Sequence, residues 1–197
     1  MRSGPAMARD ESRPLRADAQ RNRDKILTTA VRVFAEEGLD AHFERIAREA
    51  GVGSGTLYRN FPTREALIEA AYRNEVAKLC DAAPELLGVM PPRPALRAWM
   101  ERFMDYATAK QGMADALRPM IAAGSDPYGN SRELMVEAIS LLLRAGVEAG
   151  AIGPDVAAPD VLVMLTGIAL AAGRAEQREQ AGRLLDLALD GMSAGQR

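Results

Sequence analysis

The sequence predicts an all-α fold of about nine helices, a three-helix N-terminal unit followed by a larger C-terminal helical bundle. Three observations support this. Apolar residues recur at three- and four-residue spacing through most of the chain, the period of a helix with one buried face. Alternation of β-branched and polar residues, the mark of a half-buried strand, is almost absent. Glycine and proline clusters punctuate the periodic stretches at intervals suited to helix ends.

Taken in order, residues 1–17 hold Gly4, Pro5, Pro14 and scattered arginines, and are expected to form a flexible basic arm. The helical period starts at Asp18, with Ile26, Ala30 and Phe34 four apart and Gly38 placed to end the helix. A short helix is expected over 44–50, broken by Gly51, and another over 54–60. Phe61 precedes Pro62, which disfavours helical geometry and so stops that second helix. Thr63 can cap a helix over 63–82, with Glu65 favourably placed in its first turn. The four prolines between 84 and 94 mark a loop or kinked connector. Further helices are expected at about 94–110, 113–123, 128–149, 159–173 and 176–191. The domain division that follows is an arm over 1–17, a small unit over 18–62 and a bundle over 63–197.

The 197-residue length allows a substantial core, and 48% hydrophobic with 26% charged residues place the chain among ordinary globular proteins. No apolar run reaches the roughly 18–20 residues of a membrane span. The first 25 residues lack the apolar core of a secretory signal. One cysteine, Cys80, rules out an internal disulfide framework and suits a reducing cytoplasm. With one histidine and one cysteine far apart, no His/Cys metal site or Cys–His nucleophile is expected, and no cofactor motif is present. Charge is unevenly distributed. Residues 1–64 carry 12 Lys and Arg against 9 Asp and Glu, and the rest carry 13 against 18, so the chain is +3 at one end and −5 over the remainder. That asymmetry fits a protein whose N-terminal end meets a polyanion.

The segment from Phe43 to Phe61 carries the most specific pattern. Ala47 is small enough for two helices to cross closely, and Gly51 can supply a left-handed turn between them. Ile46, Ala50, Val52, Leu57 and Phe61 would face a shared core. Ser54, Thr56, Tyr58, Arg59 and Asn60 are left on the outside of the second helix, a set of hydrogen-bonding groups suited to base edges and phosphates. Arg45, Arg64 and His42 flank this face as further contact candidates, while Arg13, Arg16, Arg21 and Arg23 could supply a basic arm.

This run resembles the DNA-binding domain of the TetR family of bacterial transcriptional regulators. The resemblance rests on Phe34-Ala35-Glu36-Glu37-Gly38, on Ile46 through Val52, on Gly55 through Phe61 and on Arg64-Glu65-Ala66-Leu67, in order and without gaps over about 20–70. The chain departs from the family pattern at His42, Gly53, Ser54 and Asn60, so the scaffold transfers more directly than the individual base contacts. The resemblance implies a cytoplasmic, homodimeric repressor. Such a protein would bind a palindromic double-stranded DNA operator and release it when a small-molecule effector enters the C-terminal bundle. It also implies dimerisation through the last two helices. Those carry Leu162, Leu165, Ile168 and Ala169 on one stripe and Leu184, Leu185, Leu187, Ala188 and Leu189 on another.

Methionines concentrate in the bundle beside Trp99, Phe103 and Tyr106, an adaptable apolar interior. Trp99, Phe103, Met104, Met120 and Met164 are the candidates for an effector cavity, with core packing as the alternative for each. A second class of function is a small-molecule-binding helical protein or enzyme with a vestigial DNA-binding unit. Its acid/base groups would come from Glu101, Asp105 or Asp115.

Overall fold

The computed structural model describes residues 12–173 and 175–195. Among these residues nine α-helices and two short 3₁₀ turns account for all regular structure. The helices are α1 (Ser12–Glu37), α2 (Phe43–Ala50), α3 (Ser54–Asn60), α4 (Arg64–Val89), α5 (Pro92–Gly112), α6 (Ala114–Ala122), α7 (Ser131–Glu148), α8 (Ala158–Ala172) and α9 (Arg178–Gly191).

Helix α1 begins at Ser12, ahead of the expected Asp18, so residues 12–17 belong to a helix and not to a flexible arm. Pro14 lies in the first turn, where its missing N–H has no intrahelical acceptor to lose. Residues 1–11 of the expected arm lie outside the described residues. Ile26, Leu27, Ala30, Val33 and Phe34 turn inward from α1 and pack with Ile46, Leu57 and Phe61 in one continuous core.

The larger departure concerns the proline-rich segment. Helix α4 continues through Pro84 to Val89, leaving only Met90 and Pro91 between it and α5. A proline inside a helix costs about 3 kcal/mol through one lost hydrogen bond and a ring clash. Here the adjoining turns bury Leu79, Ala82, Ala83 and Leu86, and full burial of each leucine returns about 1.5–3 kcal/mol. Pro92 and Pro94 then fall in the first turn of α5, where prolines are tolerated. The segment expected to be a loop or kinked connector is therefore mostly helix, because tertiary burial outweighs local chain preference.

At 26 residues α4 is about 39 Å long. It packs on α1 at one side and on α5 and α7 at the other, so one rigid element joins the N-terminal unit to the bundle. Its start is fixed by the Thr63 hydroxyl, which accepts from the Ala66 N–H at 3.1 Å as the sequence predicts. The indole of Trp99, fully buried, donates to the Leu79 carbonyl at 2.8 Å and fastens α5 to α4. A second junction links the two units. Gly112, the last residue of α5, lies so close to α1 that a Cβ on it would stand 2.6 Å from Ala35 Cβ. No described helix is long and apolar enough to cross a membrane.

Candidate nucleic-acid interface and bundle cavity

Helices α2 and α3 form a helix-turn-helix with local causes at each corner. Phe43, Ile46, Ala47 and Ala50 face inward from α2 at helical spacing. Gly51 ends α2 with φ 69° and ψ 32°, the left-handed conformation that a side chain disfavours. The Val52 N–H donates back to the Ala47 carbonyl at 3.0 Å, closing the turn. Gly53 precedes α3 in extended geometry, and its carbonyl accepts from the N–H groups of Thr56 and Leu57. Leu57, fully buried, and Phe61, nearly so, anchor α3.

With those two side chains inward, Ser54, Tyr58, Arg59 and Asn60 lie exposed on α3, and Thr56 is half-buried beside them. Their arrangement is ordered. The Tyr58 ring packs tilted against Phe43, centroids 5.2 Å apart, while staying 46% exposed. Asn60 donates from Nδ2 to the Thr56 carbonyl at 2.8 Å. Arg59 donates to the Gly55 carbonyl at 3.1 Å and to the Thr56 hydroxyl at 3.2 Å. Both side chains thus lie along their own helix, where a partner would exchange weak exposed bonds for new ones.

The flanking candidates fare differently. His42 is exposed at the start of α2, and its Nδ1–H donates to the Asp40 carbonyl at 2.5 Å. Arg45 is not an open phosphate ligand. It pairs with Glu36, Glu37 and Glu49, and Arg32 pairs with Glu36 and Glu49, so five side chains tie α1 to α2. Hydrogen bonds from Arg45 and then Arg32 hold the Glu49 carboxyl down at about 2. Arg64 is also engaged: it is half-buried and donates to the Ala41 carbonyl at 2.5 Å, pinning the start of α4 to the start of α2. Apart from Glu49, one turn on in α2, the partners of these arginines are 8–23 positions away, so helical spacing does not show the engagement. Arg48, which sequence reasoning passed over, is exposed on the outer side of α2 and has no carboxylate partner among the described residues. Arg21 pairs with Asp18, and the Arg23 guanidinium lies 4.6 Å over the Phe61 ring. The side chains of Arg13 and Arg16 lie outside the described ones.

In the bundle, a cavity of about 650 Å³ opens between α5, α7 and α8. Of the five expected lining residues only Phe103 reaches it. Trp99, Met104 and Met120 are buried core residues, and Met164 is half-buried against that core. The residues that do line it include Tyr106, Lys110, Tyr128, Arg132, Met135 and Leu162. One signal pointed there: Phe103, Tyr106, Ala107 and Lys110 fall on one stripe of α5, placing a lysine on an otherwise apolar face. Tyr106 and Tyr72 of α4 share a 2.8 Å hydrogen bond between hydroxyls, and Tyr128 meets Tyr72 edge-on at 5.2 Å. Burial, then the bond to Tyr72, pushes the Tyr106 hydroxyl far up, so it stays protonated. Glu101, Asp105 and Asp115 lie outside the cavity, exposed and paired with Arg97, Arg178 and Arg118.

Residues 26–71 match the family model for bacterial regulatory proteins of the tetR family. Residues 91–194 match the model for the C-terminal domain of SbtR-like transcriptional regulators. A TetR transcriptional regulator from Streptomyces coelicolor is 66% identical over 88% of this chain and 99% of its own, with a TM-score of 0.85. The chain belongs to the TetR family. A TetR transcription regulatory protein from Mycobacterium vanbaalenii is 33% identical over 92% of this chain and 100% of its own, at a TM-score of 0.74. Curated HTH-type transcriptional regulators of Staphylococcus aureus are 44% identical over 54 residues. That match spans 27% of this chain and only 29% of the S. aureus proteins.

Proposed function

We propose that this TetR-family chain is a ligand-responsive, DNA-binding transcriptional repressor. It acts as a homodimer on a palindromic operator and is released from it by a small-molecule effector. The observation that carries the reading is the outward face of α3. Ser54, Thr56, Tyr58, Arg59 and Asn60 stand on a helix fixed from behind by Leu57 and Phe61, a shape that suits a major groove. Residues 18–62 are the reading unit and 63–197 the sensing and dimerising unit. Tyr58 donates to a phosphate, Asn60 reads a base edge, and Arg48 adds a backbone contact in place of Arg45 and Arg64.

The second subunit covers the outer faces of α8 and α9. Val163 and Leu170 are 63% and 83% exposed on α8, and Leu187 is 68% exposed on α9. Apolar side chains this exposed on adjacent helices favour association. Two-fold pairing then places half-sites about 34–36 Å apart or a multiple of that. Two junctions connect the cavity to the reading unit: the Tyr72–Tyr106–Tyr128 cluster, which reaches α4 through Tyr72, and Lys110 and Gln111 beside the Gly112–Ala35 contact with α1. A ligand shifting these helices moves α3 out of register.

Footprinting with purified protein on the DNA flanking its gene tests the reading. Protection of a palindrome that weakens steeply with salt is expected. Binding without sequence preference, or none at low salt, refutes it.

A further inference from the structure

The cavity between α5, α7 and α8 has an unbalanced charge. Lys110 enters from the last turns of α5, Arg132 from the first turn of α7, and no aspartate or glutamate lines the wall. Neither cation has a carboxylate partner among the described residues. The nearest group to the Lys110 ammonium that the structure gives as a partner is the face of the Tyr128 ring, 4.4 Å away. Burial draws the Lys110 ammonium below its ordinary value, and no opposing charge restores it. The start of α7, an 18-residue helix, lies at the same end and adds the positive pole of its dipole. Most of the remaining wall, with Phe103, Met135 and Leu162, is apolar, and Gln111 and Thr166 add uncharged polar groups. Arg45, Arg93, Arg97 and Arg178 on other packed surfaces have acidic partners, whereas Arg64 has a backbone carbonyl and Arg23 a ring face. A cavity of about 650 Å³ is of a size to take a small organic molecule.

We infer that this cavity selects a small organic anion with an apolar body, its acidic group received by Lys110 and Arg132 and its body by Phe103, Met135 and Leu162. The inference names the effector class and so rests on the effector role proposed above. Lys110 is half-buried, and a half-buried cation without a counter-charge is costly; a bound anion removes that cost while an uncharged molecule does not, and Arg132, exposed on the same wall, adds a second attraction. A cationic ligand would add a third positive charge to the same end.

Two fluorescent probes that share one apolar body and differ by a sulfonate group test it: anilinonaphthalene sulfonate and its uncharged parent, phenylnaphthylamine. Each is titrated into the full-length protein. The sulfonate is expected to bind about tenfold or more tightly than the parent, the discrimination typical of hydrogen bonds to a charged group. The double variant Lys110→Met, Arg132→Met should erase that preference while keeping affinity for the uncharged probe, since methionine retains the apolar stem. Lys110→Arg should keep the preference, and it tests the same point with the charge in place if the double variant does not fold. Equal binding of the two probes by the wild type, failure of the sulfonate to bind, or a preference that survives in the double variant overturns the inference. Each probe is also added to a preformed operator complex. Release by the uncharged probe, with no charge preference, overturns the anion inference and leaves the effector role standing. Charge-selective binding in the cavity with no release supports the site and counts against the effector role.

Discussion

Gly112→Ala addresses the junction between the two units most sharply. The added methyl would stand 2.6 Å from Ala35 Cβ and 3.2 Å from Ala35 Cα. Carbon atoms in contact normally lie about 3.5–4.0 Å apart, so α1 and α5 must part by about 1 Å. Alanine has no rotamer through which to yield, and overpacking of this kind costs about 1–3 kcal/mol. Gly112 ends its helix, so the gain in helix propensity is smaller than the ~1 kcal/mol of an interior position. A net loss of about 1–2 kcal/mol lowers Tm by roughly 2–8 °C for a chain of this size. Because Lys110 and Gln111 line the cavity just before this contact, the same displacement is expected to weaken operator binding. Thermal melts at fixed protein concentration and operator titrations measure both effects. The reverting partner Ala35→Gly, made in the Gly112→Ala background, should recover part of each by removing the clash. A Tm within about 1 °C of wild type together with unchanged operator affinity would refute the close approach and its role in coupling.

Other expectations follow from particular contacts. Tyr72→Phe strands the buried Tyr106 hydroxyl, and should cost about 1–3 kcal/mol in a melt and blunt the response to a bound ligand. Leu170→Glu places a charge on the exposed face of α8, and sedimentation should show a monomer that no longer protects a palindrome. The Arg45 network is acid-sensitive. Glu49 is depressed from 4.5 to about 2 in the folded state, so its contribution is present above pH 4.5 and lost as pH falls toward 2. Acid melts of wild type and Arg45→Met should therefore converge across that window, and stay parallel if the network contributes nothing. Burial, then the nearby Asp81 and Glu137, pushes the Cys80 thiol up to about 11, and alkylation at neutral pH should be slow until the protein unfolds.

What the sequence made legible was governed by local chemistry. Gly51, the Phe61-Pro62 pair and the Thr63 cap act on their own turns, and the helices they bound are close to those expected. Pro84 misleads because its cost is local while the burial of Leu79 and Leu86 that offsets it is not. The same division holds at the sites. The exposed face of α3 follows from helical periodicity alone, with Leu57 inward and Tyr58 outward. The engagement of Arg45 and Arg64 depends on helix packing that no spacing encodes. In the bundle, Trp99 and Met104 looked like cavity residues because apolar periodicity does not separate a wall from a core. The residues that meet there, Tyr106 and Lys110 on α5 with Tyr128 and Arg132 near the start of α7, come together only through folding.

The central claim is that the outward face of α3 reads DNA. Its most direct test is the affinity of the Tyr58→Ala, Asn60→Ala double variant for the footprinted operator, measured beside wild type at one salt concentration. Helix content should be unchanged and Tm should fall only by what the lost Tyr58–Phe43 contact contributes, about 0.5–1.5 kcal/mol, while specific binding falls to the non-specific level, a drop on the order of a thousandfold or more. Retention of wild-type operator affinity by the folded double variant would contradict the account.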